Sequence, residues 1–284
     1  MNKIIIPLFA ILCIHPGNIS SLATPTFNHE LVMISDWKLI NEVSILLKVY
    51  GKHFQIIEER EGDLVFQING SWIYYRNGKM LSEDLCRDED RYDSIFYTYP
   101  IGKLTRIPPH KELPRRAPDF LNLLFGKTEI KIRKHCQPIS FLNHKAFVNR
   151  ICVDALKEVE KEIMRSAEMV PAVRDYMDHM HILYSFQSKQ VVGSENNSYH
   201  SYGLAIDLVP LSYHGKHVYW KWSRVFNKKW YEIPLESRWS PPQEVIDAFE
   251  NNGFIWGGKW CHFDVIHFEY RPEIIRLAKI REDY

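Results

Sequence analysis

Hydrophobic and polar positions change their spacing along the chain, and this change predicts where helices and strands lie. A mixed apolar pattern at about 36–50 predicts a helix. Three short runs follow at 63–68, 71–76 and 79–81, and Asn-Gly pairs join them. Both residues of such a pair tolerate the positive φ that a tight hairpin turn requires. The spacing therefore predicts a three-stranded antiparallel β-meander near the N-terminus.

The second half of the chain has apolar residues at helical spacing. They recur every fourth position over 145–164, which predicts an amphipathic helix facing a core. These residues are Phe147, Ile151, Ala155, Val159 and Ile163. The run 181–186 predicts a strand, and the stretch 242–251, which starts with proline, predicts a second helix.

A proline-rich stretch separates these two halves. Residues 107–118 hold several prolines and predict an extended connector, because proline lacks an amide hydrogen and restricts the backbone. We therefore expect an N-terminal region at 24–118, whose role the pattern does not define, and a second domain at 119–284.

The first 23 residues have the pattern of a secretory signal peptide. Lys3 precedes an apolar run at Ile4–Ile14, and small residues stand at Ser21 and Ala23, where a signal peptidase would cleave. The run is too short to span a bilayer, which takes about 20 apolar residues. An uncleaved anchor and a lipoprotein are the alternatives, although Leu12 before Cys13 is unfavourable for lipoprotein processing. We expect a periplasmic or secreted protein with no membrane span after cleavage.

Charge and cysteine content limit the partners and the chemistry. Lys and Arg total 36 against 35 for Asp and Glu, a net charge of +1 over 284 residues. No global field therefore attracts nucleic acid or an anionic membrane, and any substrate must be selected locally. After Cys13, an even number of cysteines could form two disulfides with three possible pairings, and Cys261 is expected to be a free or bridged structural cysteine and not a metal ligand. These cysteines are Cys86, Cys136, Cys152 and Cys261.

Two separated segments hold the residue types of a metal centre. His200 lies in a loop of small and polar residues, and Asp207 is the one charged residue of the apolar run 204–209. A buried carboxylate is costly unless it is paired or binds a metal. A strand over 265–270 would place His267 and Glu269 on one face. Two imidazoles and one carboxylate are the ligand set of a zinc hydrolase with an open coordination position.

The two remaining carboxylates suit supporting roles. Asp264, three residues before His267, could hold its carboxylate near a metal-bound water without binding the metal, as a general base requires. Glu269 could orient an imidazole by accepting a hydrogen bond from it.

Together these motifs resemble the zinc D-alanyl-D-alanine carboxypeptidase family (peptidase family M15), within the lysostaphin, carboxypeptidase and hedgehog superfamily. The resemblance covers about 145–275 and is strongest to the branch that contains phage L-alanyl-D-glutamate endolysins. The residues that carry it are Ser198, His200, Gly203, Ala205 and Asp207, then Trp256-Gly257-Gly258-Lys259-Trp260, and then Asp264, His267, Phe268 and Glu269.

The resemblance implies a fold, a cofactor and a substrate class. The fold is α+β, a small antiparallel sheet with helices packed against it, here preceded by the β-meander region. His200, Asp207 and His267 are implied to bind zinc, and Asp264 is implied to be the base. The substrate implied is a peptidoglycan stem peptide, cut at D-Ala-D-Ala or L-Ala-D-Glu by a chain that we expect to be a monomer.

One position departs from the family pattern. Members usually carry Tyr-Arg-Ser before the first ligand, and the matching segment here is 186–188, with Gln187 in place of the arginine. A glutamine donates a hydrogen bond without charge, and charge-assisted bonds are roughly twice as strong. We expect Gln187 and Ser198 to assist oxyanion stabilisation and substrate binding. The alternative is a zinc-containing module that binds cell-wall peptide or protein without cutting it.

Overall fold

The computed structural model describes residues 37–193 and 196–282, so the predicted signal peptide lies outside the described residues. The contacts divide the chain into two compact units. The N-terminal unit contains the described residues up to Tyr97 together with Arg115–Leu124, and the C-terminal unit contains Thr98–Pro114 and the described residues from Phe125 onward. In the part of the chain that the structure describes, no helix is both long and apolar enough to cross a bilayer.

The fold is mixed α+β, as the family resemblance implies. The helices are α1 Trp37–Tyr50, α2 Asp119–Phe125, α3 Glu129–Arg133, α4 Val153–Met169, α5 Pro171–Asp178, α6 Trp220–Phe226, α7 Gln243–Asn251 and α8 Pro272–Glu282. The strands are β1 Ile56–Arg60, β2 Asp63–Ile68, β3 Ser71–Arg76, β4 Lys79–Leu81, β5 Cys136–Phe141, β6 His144–Asn149, β7 Met180–Tyr184, β8 Ala205–Pro210, β9 Phe254–Trp256 and β10 His267–Tyr270.

The N-terminal unit is built on an antiparallel sheet in the order β1-β2-β3-β4. Its last three strands have the predicted bounds, because each Asn-Gly pair adopts positive φ at both residues, as at Asn69 (51°) and Gly70 (77°). The fourth strand, β1, joins β2 through Glu61-Gly62, which also adopts positive φ. Glutamate is a weak turn signal, and the sequence therefore does not show this hairpin.

The C-terminal unit holds a four-stranded antiparallel sheet in the order β7-β8-β10-β9 and a separate hairpin of β5 and β6. On the two central strands, His267 pairs directly with Asp207. Side chains directly opposite each other in an antiparallel pair share one face of the sheet, about 5 Å apart. This register brings together two residues that are 60 positions apart along the chain.

The helix predicted over 145–164 is wrong in its first part. Residues 144–149 form β6, which pairs with β5, and α4 begins only at Val153. Phe147 continues the four-residue spacing of the helix by coincidence, since it lies opposite Pro138 in the hairpin. Asn149 ends the strand, and its side chain accepts a hydrogen bond from the Ile151 amide at the start of a short turn.

The segment Thr98–Pro114 is held in the C-terminal unit by a buried polar cluster. The Tyr99 hydroxyl and the Lys259 ammonium both bond the Glu250 carboxylate, and Lys259 Nζ also donates to the Pro100 carbonyl at 2.8 Å. Burial raises the pKa of Glu250, and Lys259 opposes that shift. Lys259, the lysine of the Trp-Gly-Gly-Lys-Trp motif, therefore holds the 98–114 segment against the C-terminal unit.

All four cysteines that the prediction considered for disulfides are free thiols in the structure: Cys86, Cys136, Cys152 and Cys261. Burial raises the pKa of the Cys136 thiol to about 11, so it stays protonated at neutral pH. The two expected disulfides are therefore absent among the described residues, and Cys261 is a free cysteine.

The core of the C-terminal unit is centred on a pair of stacked phenylalanines. Phe249 of α7 and Phe268 of β10 are fully buried, with ring centroids 3.9 Å apart. We expect Phe249→Ala to lower the free energy of unfolding by about 3–5 kcal/mol, because it removes buried surface and leaves a cavity. Urea denaturation measures this, with Phe226→Ala as the control, since Phe226 is 89% exposed. Equal stability of the two variants would contradict this packing.

Candidate metal centre

Three buried side chains converge beside β8 and β10, the two central strands of the sheet. His200 Nε2 lies 2.9 Å from Asp207 Oδ1, and His267 Nδ1 lies 2.8 Å from the same oxygen. The two ring nitrogens are 3.2 Å apart. Among the described residues, this is the one group of three or more His, Cys, Asp or Glu side chains whose ligand atoms are close enough to share a metal ion.

The hydrogen bonds on the outer side of each imidazole determine which nitrogen faces the centre with a lone pair when the ring is neutral. His200 Nδ1 is 2.6 Å from the Ser185 carbonyl oxygen and must donate to it, so Nε2 of the neutral ring carries a lone pair. His267 Nε2 faces Glu269 Oε2 at 3.3 Å. With Nε2 donating to this carboxylate, Nδ1 of the neutral ring likewise faces the centre with a lone pair. With both rings neutral and Asp207 ionised, the cluster would carry one negative charge and place three acceptor atoms together, which fits a cation.

The pKa shifts of the three side chains reflect their burial and their hydrogen bonds to one another. Burial lowers the pKa of His200, which keeps this ring neutral. Burial also opposes the charge on His267, but its hydrogen bonds to Asp207 and Glu269 outweigh that and raise its pKa to about 10. Despite burial, both imidazoles hold the pKa of Asp207 well below its usual range. Metal binding at this cluster would displace the His267 proton.

The turn that carries His200 depends on two residues of the motif. Ser198 caps it by accepting a hydrogen bond from the His200 amide at 3.4 Å, so the structure gives this serine a positioning contact. Gly203 ends the turn with φ of 67°. A Cβ at this position would lie 2.8 Å from Cys136 Sγ and 2.9 Å from the Asn149 amide. Only glycine satisfies both the conformation and the space.

Asp264 is placed beside the cluster by a close backbone approach. Its amide donates to the Gly257 carbonyl at 3.1 Å, and a Cβ on Gly257 would come within 2.6 Å of the Asp264 carbonyl oxygen. Burial raises the pKa of Asp264 to about 7, with Asp207 adding to the shift and His267 opposing it. A carboxyl with this pKa can both accept and return a proton near neutral pH.

Glu269 is held in place by a chain of buried ion pairs. Arg271 Nη1 donates to Glu269 Oε1 at 3.3 Å, and Arg271 also bonds Glu273. The Arg271 guanidinium lies 4.9 Å from the centroid of the Tyr199 ring, on the same turn as His200. The arginine therefore connects the strand of one histidine with the turn of the other, a link that the sequence analysis missed.

The structure also places a lysine near the cluster. Lys189 Nζ is 3.6 Å from Asp207 Oδ2, with the lysine side chain 40% exposed. Its amide donates to Ser201 Oγ at 2.9 Å, which fixes the backbone against the His200 turn. The backbone amide of Gln187 donates to the His200 carbonyl at 3.2 Å. Lys189 was not among the predicted site residues, although it lies two residues after Gln187, and residues two apart in an extended segment share a face.

Two tyrosines complete the surroundings. Tyr219 pairs with Asp264 in an isolated antiparallel bridge, so its side chain lies on the same side of the backbone. Burial and the charge of Asp264 raise the pKa of Tyr219 to about 12, and the same causes raise that of Tyr213. Both hydroxyls therefore stay protonated at neutral pH and are available as hydrogen-bond donors.

Comparison with known proteins gives one family model that matches part of the chain. No solved structure gave a significant match to the chain. Residues 192–270, a range that contains His200, Asp207, Asp264 and His267, match the M15 peptidase family model described as D-alanyl-D-alanine carboxypeptidase, and this match supports assignment of the chain as a peptidase.

Proposed function

We propose that this chain is a zinc-dependent peptidase that hydrolyses an amide bond in a peptidoglycan stem peptide, at D-Ala-D-Ala or at L-Ala-D-Glu. The observation that carries the proposal is the buried convergence of His200 Nε2, Asp207 Oδ1 and His267 Nδ1. Two imidazoles and one carboxylate are a zinc ligand set that leaves a coordination position for water or substrate. The family match to 192–270 supports the same substrate class.

The proposed reaction assigns one role to each side chain. His200, Asp207 and His267 would hold the zinc ion, which when bound acidifies water and polarises the scissile carbonyl. Asp264 accepts the proton of the attacking water and returns it to the leaving amine. Glu269 holds the His267 ring in the orientation that ligation requires.

Three further residues near the His200 turn are proposed to contact the substrate. Lys189 Nζ lies 3.6 Å from Asp207 Oδ2, and its charge would attract an anionic group of the substrate. We also propose that Gln187 and Ser198 contribute hydrogen bonds to the oxyanion and to the substrate. Both positions flank the turn of His200.

Digestion of purified muropeptides with and without a chelator tests this function. We expect a new free amine that disappears with the chelator and returns when zinc is added back, because the reaction needs the metal. Mass spectrometry distinguishes the two bonds, since one releases free D-alanine and the other a peptide that begins with D-glutamate. Hydrolysis that is indifferent to chelation would contradict the zinc mechanism.

Gln187 favours a second candidate, a zinc-containing module that binds cell-wall peptide without cutting it. The uncharged side chain offers a weaker hydrogen bond to a developing oxyanion than a cation would. The same digestion separates the candidates, because a binding module retains muropeptides and releases no amine.

We also propose a periplasmic or secreted location, on the signal-peptide pattern of the first 23 residues.

A further inference from the structure

Helix α6 has an apolar face that is largely exposed. The helix buries Trp220 and Ser223 and exposes three large apolar side chains. These are Trp222 (59% exposed), Val225 (74%) and Phe226 (89%), and we call them the α6 face. Their spacing of three and four residues places them side by side on one surface of the helix. A contiguous exposed apolar patch indicates an interaction site, whereas single exposed side chains are common.

Positive charge surrounds the α6 face. Four exposed cations lie between residues 221 and 229, and no acidic residue occurs from 220 to 231. They are Lys221, Arg224, Lys228 and Lys229. Of these four, Lys229 has a described ion pair, to Glu232 at 3.3 Å. Since the whole chain carries a net charge of only +1, this segment is a local concentration of positive charge.

We propose that the α6 face docks on a lipid bilayer surface that contains anionic headgroups. Tryptophan and phenylalanine beside lysine and arginine are the composition of interfacial membrane-binding segments, in which apolar groups enter the headgroup boundary and cations contact the lipid charge. The cores of protein–protein interfaces are instead depleted of lysine. The charge around the α6 face therefore favours an anionic lipid surface over a protein partner.

The α6 face lies close to the candidate metal centre. The Trp222 ring is 5.6 Å from the Tyr219 ring, and Tyr219 pairs with Asp264. Docking would therefore hold the centre beside the bilayer, where stem peptides attached to lipid would be the accessible substrates. This consequence rests on the proposed function, whereas the docking itself does not.

Vesicle sedimentation tests the docking directly. The full chain is mixed with vesicles of equal parts phosphatidylcholine and phosphatidylglycerol, and separately with phosphatidylcholine alone. We expect binding to the anionic vesicles, and the combined changes Trp222→Ser, Val225→Ser and Phe226→Ser should lower the bound-to-free ratio by about tenfold or more. Ile130→Ser on α3 and Met169→Ser on α4 are the controls, because each side chain is 75% exposed on a different helix, and both should bind like the unchanged protein.

A second set of variants tests the charge. Replacing Lys221, Arg224 and Lys228 together by glutamine should lower binding to the anionic vesicles by about tenfold or more and remove most of its salt dependence. All variants keep the same N-terminal residues, so any contribution of that segment cancels in the comparison. Far-UV circular dichroism and thermal midpoints verify that each variant folds.

Three outcomes would overturn the proposal. The first is equal binding of the α6-face variant and the unchanged protein to anionic vesicles. The second is equal affinity for the two vesicle types. The third is self-association that Phe226→Ser abolishes while vesicle binding is absent, which would assign the α6 face to a second copy of the chain. Docking without muropeptide hydrolysis would contradict only the proposed function.

Discussion

Replacing His267 with alanine is expected to remove both the bound zinc and the hydrolysis of muropeptides. The imidazole supplies Nδ1 to a buried cluster in which Asp207 Oδ1 and His200 Nε2 lie 2.8 Å and 3.2 Å away. Two remaining ligands cannot hold zinc in the geometry that catalytic sites with three protein ligands use. Elemental analysis of the purified protein and mass spectrometry of the digest measure the two losses.

The matched control is His181→Ala. This histidine lies on β7 with an exposed side chain, and the contact described for it uses its backbone carbonyl. We expect its zinc content and activity to equal those of the unchanged protein. If His267→Ala kept a full complement of zinc, the three-ligand centre would be refuted, whatever happened to activity.

Replacing Asp264 with alanine is expected to abolish hydrolysis while leaving bound zinc nearly unchanged. The carboxylate lies outside the three-atom cluster but beside it, because the approach of Gly257 and the bridge to Tyr219 position its backbone. Loss of a general base costs a factor of about 10²–10⁴ in rate. Initial rates on muropeptides, together with zinc content, measure the two quantities separately.

Two variants sharpen this second test. Asp264→Asn keeps the size of the side chain and its acceptor for the Ile266 amide, so it isolates the loss of the base from a loss of packing. Asp154→Ala removes a carboxylate that is 96% exposed on α4 and should change neither quantity. Full activity of Asp264→Asn would remove this residue from the mechanism, and loss of zinc would reassign it as a ligand.

The sequence predicts the N-terminal sheet well because its signals are local. Each predicted strand is bounded by an Asn-Gly turn whose geometry depends on two adjacent residues, and the three predicted strands appear at the predicted positions. The strand β1 was missed for the complementary reason, since Glu61 is a poor local signal for the positive φ that it adopts.

Residue types also indicated which side chains belong together in the C-terminal unit. A buried aspartate in an apolar run is costly unless it is paired or binds a metal, and its combination with the two histidines selected His200, Asp207 and His267 before any geometry was known. The alternation also predicted that His267 and Glu269 share a face, and the structure places their side chains 3.3 Å apart.

Tertiary structure decided everything that depends on which segments pair. The start of α4 was misplaced because Phe147 satisfies a helical period and a strand pairing equally, and only the hairpin with β5 resolves the choice. Lys189 has only the weak local signal of lying two residues after Gln187, and Arg271 has none. The roles of both arise from contacts with Asp207 and with the His200 turn. Periodicity and turn chemistry act over a few residues, whereas register and burial are set by contacts between distant segments, which a linear pattern does not encode.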